Sequence, residues 1–125
     1  MRDVTELRDC KILVVEDEAL VAMLIQDMLE EIGCRVMGVA SRLSQAVEQA
    51  KSLAIDAAVI DVNLNGQTTS PIAEELVRRG VPFLFATGYG ADSLPAPFRR
   101  MPILGKPFQQ NELAEALHAL VNGKR

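Results

Sequence analysis

The chain has 125 residues, of which 49% are hydrophobic, and 13 Lys and Arg stand against 17 Asp and Glu for a net charge of -4. That length predicts one domain whose fold buries roughly two-thirds of the surface its unfolded chain would expose, which excludes disorder as the main state. The acidic balance, with a pI near 5.0, has the wrong sign for an unaided grip on phosphate backbones or anionic lipid, so no direct nucleic-acid partner is expected. No uncharged stretch approaches the ~18 apolar residues of a membrane span, and Met1 to Cys10 holds no signal-peptide core, so a cytoplasmic protein is expected. Cys10 and Cys34 are too few for a disulfide framework and read as small buried thiols. His118, in the last helical pattern, reads as a half-exposed helical histidine.

In chain order, Lys11 to Glu16 (KILVVE) is a β-branched strand, and apolar residues at Val21, Leu24, Ile25, Met28 and Ile32 predict a helix over 18–32 closed by Gly33. Arg35 to Ala40 is a second strand, followed by a helix over 43–53 with Ser41 and Ser44 as capping candidates. Ala57 to Val62 is the third strand. A polar loop, Asn63 to Thr69, leads to Ser70 and Pro71, a cap and first-turn pair for a helix ending at Gly80. Val81 to Thr87 is the fourth strand. Five breakers between Gly88 and Pro102 predict a loop with at most a short helix. Ile103 to Lys106 is the fifth strand, and a helix over 112–121 closes a core spanning about residues 10–122. Strands alternating with helices give an α/β class: a doubly wound five-stranded parallel sheet, helices on both faces, the fourth short or irregular.

Ligands of open α/β sheets bind beyond the carboxyl ends of the strands, where strand order reverses. The first strand ends in Glu16 and Asp17, the third in Asp61, the fourth in Thr87 and the fifth in Lys106. In the flavodoxin-like order 2-1-3-4-5 the first and third strands are neighbours about 4.8 Å apart, so three carboxylates converge. Singly, each has a plainer explanation, Asp17 as an ordinary helix cap among them. Jointly, oxygen-only ligands favour Mg²⁺, and a lysine with a threonine beside the ion suits a phosphoryl group.

These residues give the chain a resemblance, over nearly its whole length, to the receiver domain of two-component response regulators. Pro82 to Tyr89 (PFLFATGY) further resembles the PFxFATGY signature of the "FAT GUY" receivers, many of them single-domain regulators. The resemblance implies that Asp61 takes a phosphoryl group from a histidine kinase or histidine phosphotransfer protein, that Asp17 binds Mg²⁺ directly and Glu16 through water, and that the backbone carbonyl of Asn63 adds a ligand. It implies that Lys106 pairs with the phosphorylated aspartate, with a commonly cis bond to Pro107, that Gly88 leaves room for the phosphodonor, and that Thr87 takes part in the switch. The family's usual aromatic three residues before the lysine is Ile103 here, an aliphatic residue expected to pack under the last helix, and the loop after Asp61 lacks a common proline. Tyr89 is then either a replacement moving part or a residue at the site edge.

Signalling by altered protein binding is the reading these features favour, with self-association left open. A haloacid dehalogenase-like phosphatase uses similar groups but places a second acid two residues after its nucleophile, where Asn63 stands here. A non-phosphorylated pseudo-receiver would be a binding module that keeps the fold alone, and a receiver cut from a hybrid kinase would carry the same residues. The ends, Met1 and Gly123-Lys124-Arg125, lean toward a stand-alone protein.

Overall fold

The structure, a computed structural model, describes residues 7–90, 93–94 and 96–123. Its strands are β1 (Lys11–Val15), β2 (Arg35–Ala40), β3 (Ala57–Asp61), β4 (Asn63–Leu64), β5 (Gln67–Thr68), β6 (Phe83–Thr87) and β7 (Ile103–Gly105). Its helices are α1 (Ala19–Ile32), α2 (Leu43–Ser52), α3 (Ser70–Arg79) and α4 (Gln110–Gly123), with a 3-10 turn at Ala96–Phe98. The main sheet runs β2-β1-β3-β6-β7, every pair parallel, which is the expected 2-1-3-4-5 order with the small hairpin β4-β5 set aside.

The central strands are apolar on both faces because helices cover both. Leu13, Val15, Ile60, Phe83 and Phe85 point to one side, where Ala46 and Ala50 of α2 and Ile72 and Leu76 of α3 meet them. Ile12, Val14, Val59 and Leu84 point to the other, against Ile25 and Leu29 of α1 and Leu113 and Leu117 of α4. The edge strand β2 alternates in exposure, as a half-covered strand should. Between β6 and β7 the described residues hold no α-helix, as the breakers implied, and the connection includes the 3-10 turn at Ala96–Phe98. It is fastened by Phe98, whose ring lies 6.3 Å from Phe83 and 6.0 Å from Phe85, and by buried Leu94 on the same core.

Several local expectations are corrected. The position before α2 is Arg42, with no side-chain cap, and Ser41 instead donates its N–H to Gln45 Oε1. Glu18, not Asp17, precedes α1. Ser70 already lies inside α3, and the cap position falls to Thr69, whose hydroxyl donates to Val62 O instead of accepting from the helix. The helix α4 starts earlier than its apolar spacing implies because Glu112 Oε1 reaches back to accept the Gln109 N–H at 2.7 Å. The stretch read as a polar loop folds as the hairpin β4-β5. Asn65 (φ 51°) and Gly66 (φ 84°) form its tip, and an Asn-Gly pair is suited to two successive positive φ angles.

Ile103 is half-buried and belongs to neither core; Leu104 is the β7 residue that packs with Leu113 and Leu117 under α4. Both cysteines are buried, and Cys34 is hydrogen-bonded to Cys10, which together with burial pushes its thiol far up. His118 is half-buried on α4, beside Asn122 Nδ2 at 3.1 Å. Among the described residues no helix is long and apolar enough to cross a membrane.

Candidate functional site

The site forms where the carboxyl ends of β1, β3, β6 and β7 come level. Register pairs Val15 with Ile60, Asp61 with Ala86 and Thr87 with Gly105. β1, β3 and β6 therefore deliver Glu16, Asp61 and Thr87 one step beyond their last buried apolar residue, and β7 delivers Lys106 two steps beyond Leu104. The Lys106 N–H donates to Thr87 O at 2.8 Å and extends the β6-β7 ladder. The Glu16 N–H likewise donates to Ala40 O. The peptide bond between Lys106 and Pro107 is cis.

Glu16, Asp17 and Asp61 each offer a carboxylate oxygen within 4.8 Å of the others. Their environments differ. Glu16 is 2% exposed and both of its oxygens are engaged, Oε1 by Lys106 Nζ at 2.8 Å and Oε2 by the Glu18 N–H at 3.1 Å. Burial pushes its carboxyl above the ordinary range, Asp61 adding to the rise and the Lys106 and Glu18 hydrogen bonds opposing it. Asp61 is held loosely: Lys106 Nζ is 3.4 Å from Oδ2 and the Asn63 N–H is 3.4 Å from Oδ1. Asp17 Oδ2 accepts the Asn65 N–H at 2.8 Å, so the hairpin tip leans on the acidic cluster. Burial works against the Lys106 charge, but the Glu16 hydrogen bond and the negative charges of Asp61 and Glu16 outweigh it, and the ammonium is held above the ordinary lysine range.

A set of oxygen donors with neither His nor Cys among them fits a hard divalent cation, Mg²⁺ being the one that accepts few carboxylates and keeps its waters. Every strand-end residue named from the sequence is therefore in place: the three acids and Lys106 share one cluster, and buried Thr87 is joined to Lys106 through the backbone. The side chain of Asn63 turns away to accept the Gly66 N–H. Tyr89 is 88% exposed, and its N–H donates to Thr87 Oγ1 at 3.0 Å. Two residues went unnoticed in the sequence. Asn65 is signalled by the Asn-Gly pair, whereas Ser93, whose hydroxyl lies 3.2 Å from Thr87 Oγ1, has no signal beyond being a serine.

Fold and site together define a receiver: residues 12–118 match the response regulator receiver domain, and the chain belongs to that family. Among solved structures it is similar to SdrG from Sphingomonas melonis Fr1, at 42% identity and a TM-score of 0.80, covering 90% of this chain and 96% of that one. It shares the fold of the response regulator PhyR from Brucella abortus, at 22% identity and a TM-score of 0.82, covering 97% of this chain and 51% of that one. The transcriptional regulatory protein PdtaR of Mycobacterium tuberculosis is 30% identical over 116 residues. That match takes in 90% of this chain but only 57% of the relative's length. Membership of this family makes the chain a signalling protein and not a classical enzyme, and sets aside the dehalogenase-like reading.

Proposed function

We propose that the chain is a phosphoacceptor receiver in which Asp61 takes a phosphoryl group from a histidine kinase or histidine phosphotransfer protein. The observation that carries this reading is the Lys106 ammonium between buried Glu16 and loosely held Asp61. Glu16 is committed on both oxygens, while Asp61 has only long contacts and is the carboxylate free to act as nucleophile. An Asp61 oxygen attacks the phosphorus of the N-phosphoryl imidazole; the P–O bond forms as the P–N bond breaks, and the leaving imidazole takes up a proton. Lys106 offsets charge on the transferred oxygens, and Thr87 donates a hydrogen bond to one of them.

Asp17 and Asp61 directly, Glu16 through water and the Asn63 carbonyl would hold Mg²⁺. The chemistry the ion supplies when bound is neutralisation of the crowded negative charge. Gly88, next to Thr87, faces open space where a side chain would stand, room a phosphodonor would use. On α1, the helix that follows Asp17, the apolar residues Leu20 at 75%, Met23 at 57% and Leu24 at 58% are exposed. A groove of about 340 Å³ runs from Val21 and Leu24 to Lys106 and Phe108. A phosphodonor protein docked on α1 would bring its phosphohistidine over Asp61.

Output through binding to a further protein, in the manner of the PFxFATGY receivers, is supported by the Pro82–Tyr89 run and by the similarity to SdrG. A structure of SdrG's BeF3-activated conformation is 43% identical to this chain over 91% of its length, with a TM-score of 0.77. The test is intact-mass measurement after incubation with acetyl phosphate, with and without Mg²⁺. One phosphate on the wild type with Mg²⁺ and none on Asp61→Asn is the expected result. Labelling of Asp61→Asn at the wild-type rate overturns the assignment, and a wild type that never labels makes the chain a pseudo-receiver.

A further inference from the structure

The Thr87 hydroxyl is already occupied. Thr87 is buried, and its Oγ1 accepts the Tyr89 N–H at 3.0 Å and lies 3.2 Å from Ser93 Oγ. The direction of that last bond follows from a neighbour. Ser93 Oγ is 2.6 Å from Gly90 O, a carbonyl that can only accept, so the one Ser93 hydroxyl proton goes there. The proton shared between the two hydroxyls is consequently Thr87's, and Thr87 has no second one to give.

We propose that Ser93 is a positioning residue that holds the Thr87 hydroxyl proton in the resting protein, and that Thr87 must surrender this bond before it can donate to a phosphoryl oxygen on Asp61. This deepens the proposed function and rests on Asp61 being the phosphoacceptor. Ser93 acts as a brake: the phosphorylated state gains the Thr87 hydrogen bond only by losing the Ser93 one. Ser93 itself stays in place when Thr87 leaves, because its N–H also donates to Gly90 O, at 3.1 Å.

The experiment measures the ratio of phosphorylated to unphosphorylated protein by intact mass at steady state, with acetyl phosphate and Mg²⁺. The full chain is compared as wild type, Ser93→Ala, Thr87→Ala and the double variant. Removing the brake should raise the ratio in Ser93→Ala by about 2- to 10-fold, the equilibrium equivalent of one hydrogen bond. Because Ser93 acts through Thr87, the double variant should match Thr87→Ala. No rise in Ser93→Ala, or the same rise in the Thr87→Ala background, overturns the proposal. Amide exchange in phosphate-free protein gives a second readout: the Tyr89 amide should exchange several-fold faster in Ser93→Ala, since its acceptor is no longer fixed. Unchanged Tyr89 protection overturns the proposal. A wild type that takes no phosphate overturns the phosphoacceptor reading instead, and the exchange comparison then decides the role of Ser93.

Discussion

Lys106 Nζ is hydrogen-bonded to Glu16 Oε1 at 2.8 Å, closer than its 3.4 Å approach to Asp61 Oδ2. The cation thus rests on the buried acid and leans toward the looser one. Replacing it strands a carboxylate whose side chain is 1% exposed, while Lys106 is itself 24% exposed. Lys106→Met should therefore cost an amount at the low end of the ~3–5 kcal/mol typical of breaking a buried pair, because solvent screens the lysine end. The sign of the pH dependence follows from the raised lysine pKa. Its contribution is fully present below the ordinary 10.5 and is lost as pH rises through the higher folded value. Urea unfolding should show the gap between wild type and variant closing in alkali; a gap as wide at pH ~11.5 as at pH ~7 would contradict this linkage.

Asp17 both repels its acidic neighbours and anchors the hairpin through the Asn65 N–H. The two effects can be separated. Asp17→Asn removes the charge and keeps an acceptor oxygen, so in EDTA its melting temperature should exceed that of the wild type. Asp17→Ala relieves the same repulsion but loses a hydrogen bond of ~0.5–1.5 kcal/mol, and should melt below Asp17→Asn. Calorimetry in EDTA checks the order, and an Asp17→Asn protein melting below the wild type would show that repulsion is the weaker of the two effects.

The hairpin tip is the second support of that contact. Gly66 sits at φ 84° with open space around it, so the objection to a side chain is conformational, not steric. Gly66→Ala should cost about 1 kcal/mol and shift the Asn65 amide resonance as its bond to Asp17 loosens. An unchanged melting temperature together with an unmoved Asn65 amide would be the contrary result.

On β7 the burden falls on Leu104. Its truncation to Ala should cost ~2–5 kcal/mol, as expected of a leucine packed between sheet and helix, and Ile103→Ala clearly less. Equal losses in denaturant unfolding would place Ile103 in the core after all.

What the sequence made legible is what periodicity and strand ends control. The β-branched runs around Val14 and Val59 named the central strands, and the polar residue closing each of the four strands nearest the site stands at the crevice. What it hid depends on contacts between distant loops. Asn65 meets Asp17 across 48 positions, and no local pattern encodes that approach. Thr69 and Ser70 are adjacent hydroxyl residues, and only the Val62 carbonyl under Thr69 decides which one stands at the cap position. Ile103 and Leu104 are likewise both aliphatic, and the register of β7 against β6 alone turns Leu104 toward α4.

The edge-on and tilted packing of Phe98 against Phe83 and Phe85 moors the far side of the segment that leaves Thr87. The segment is tied at both ends, by Thr87 at the sheet and by Leu94 with Phe98 in the core. Any displacement begun at Thr87 therefore meets β7 at once, because the Lys106 N–H is bonded to Thr87 O, while Leu94 and Phe98 stay seated in the core. A listener to this protein would thus hear Thr87 through the two neighbours tied to it, exposed Tyr89 on one side and Lys106 on the other, and not through the aromatic mooring beyond.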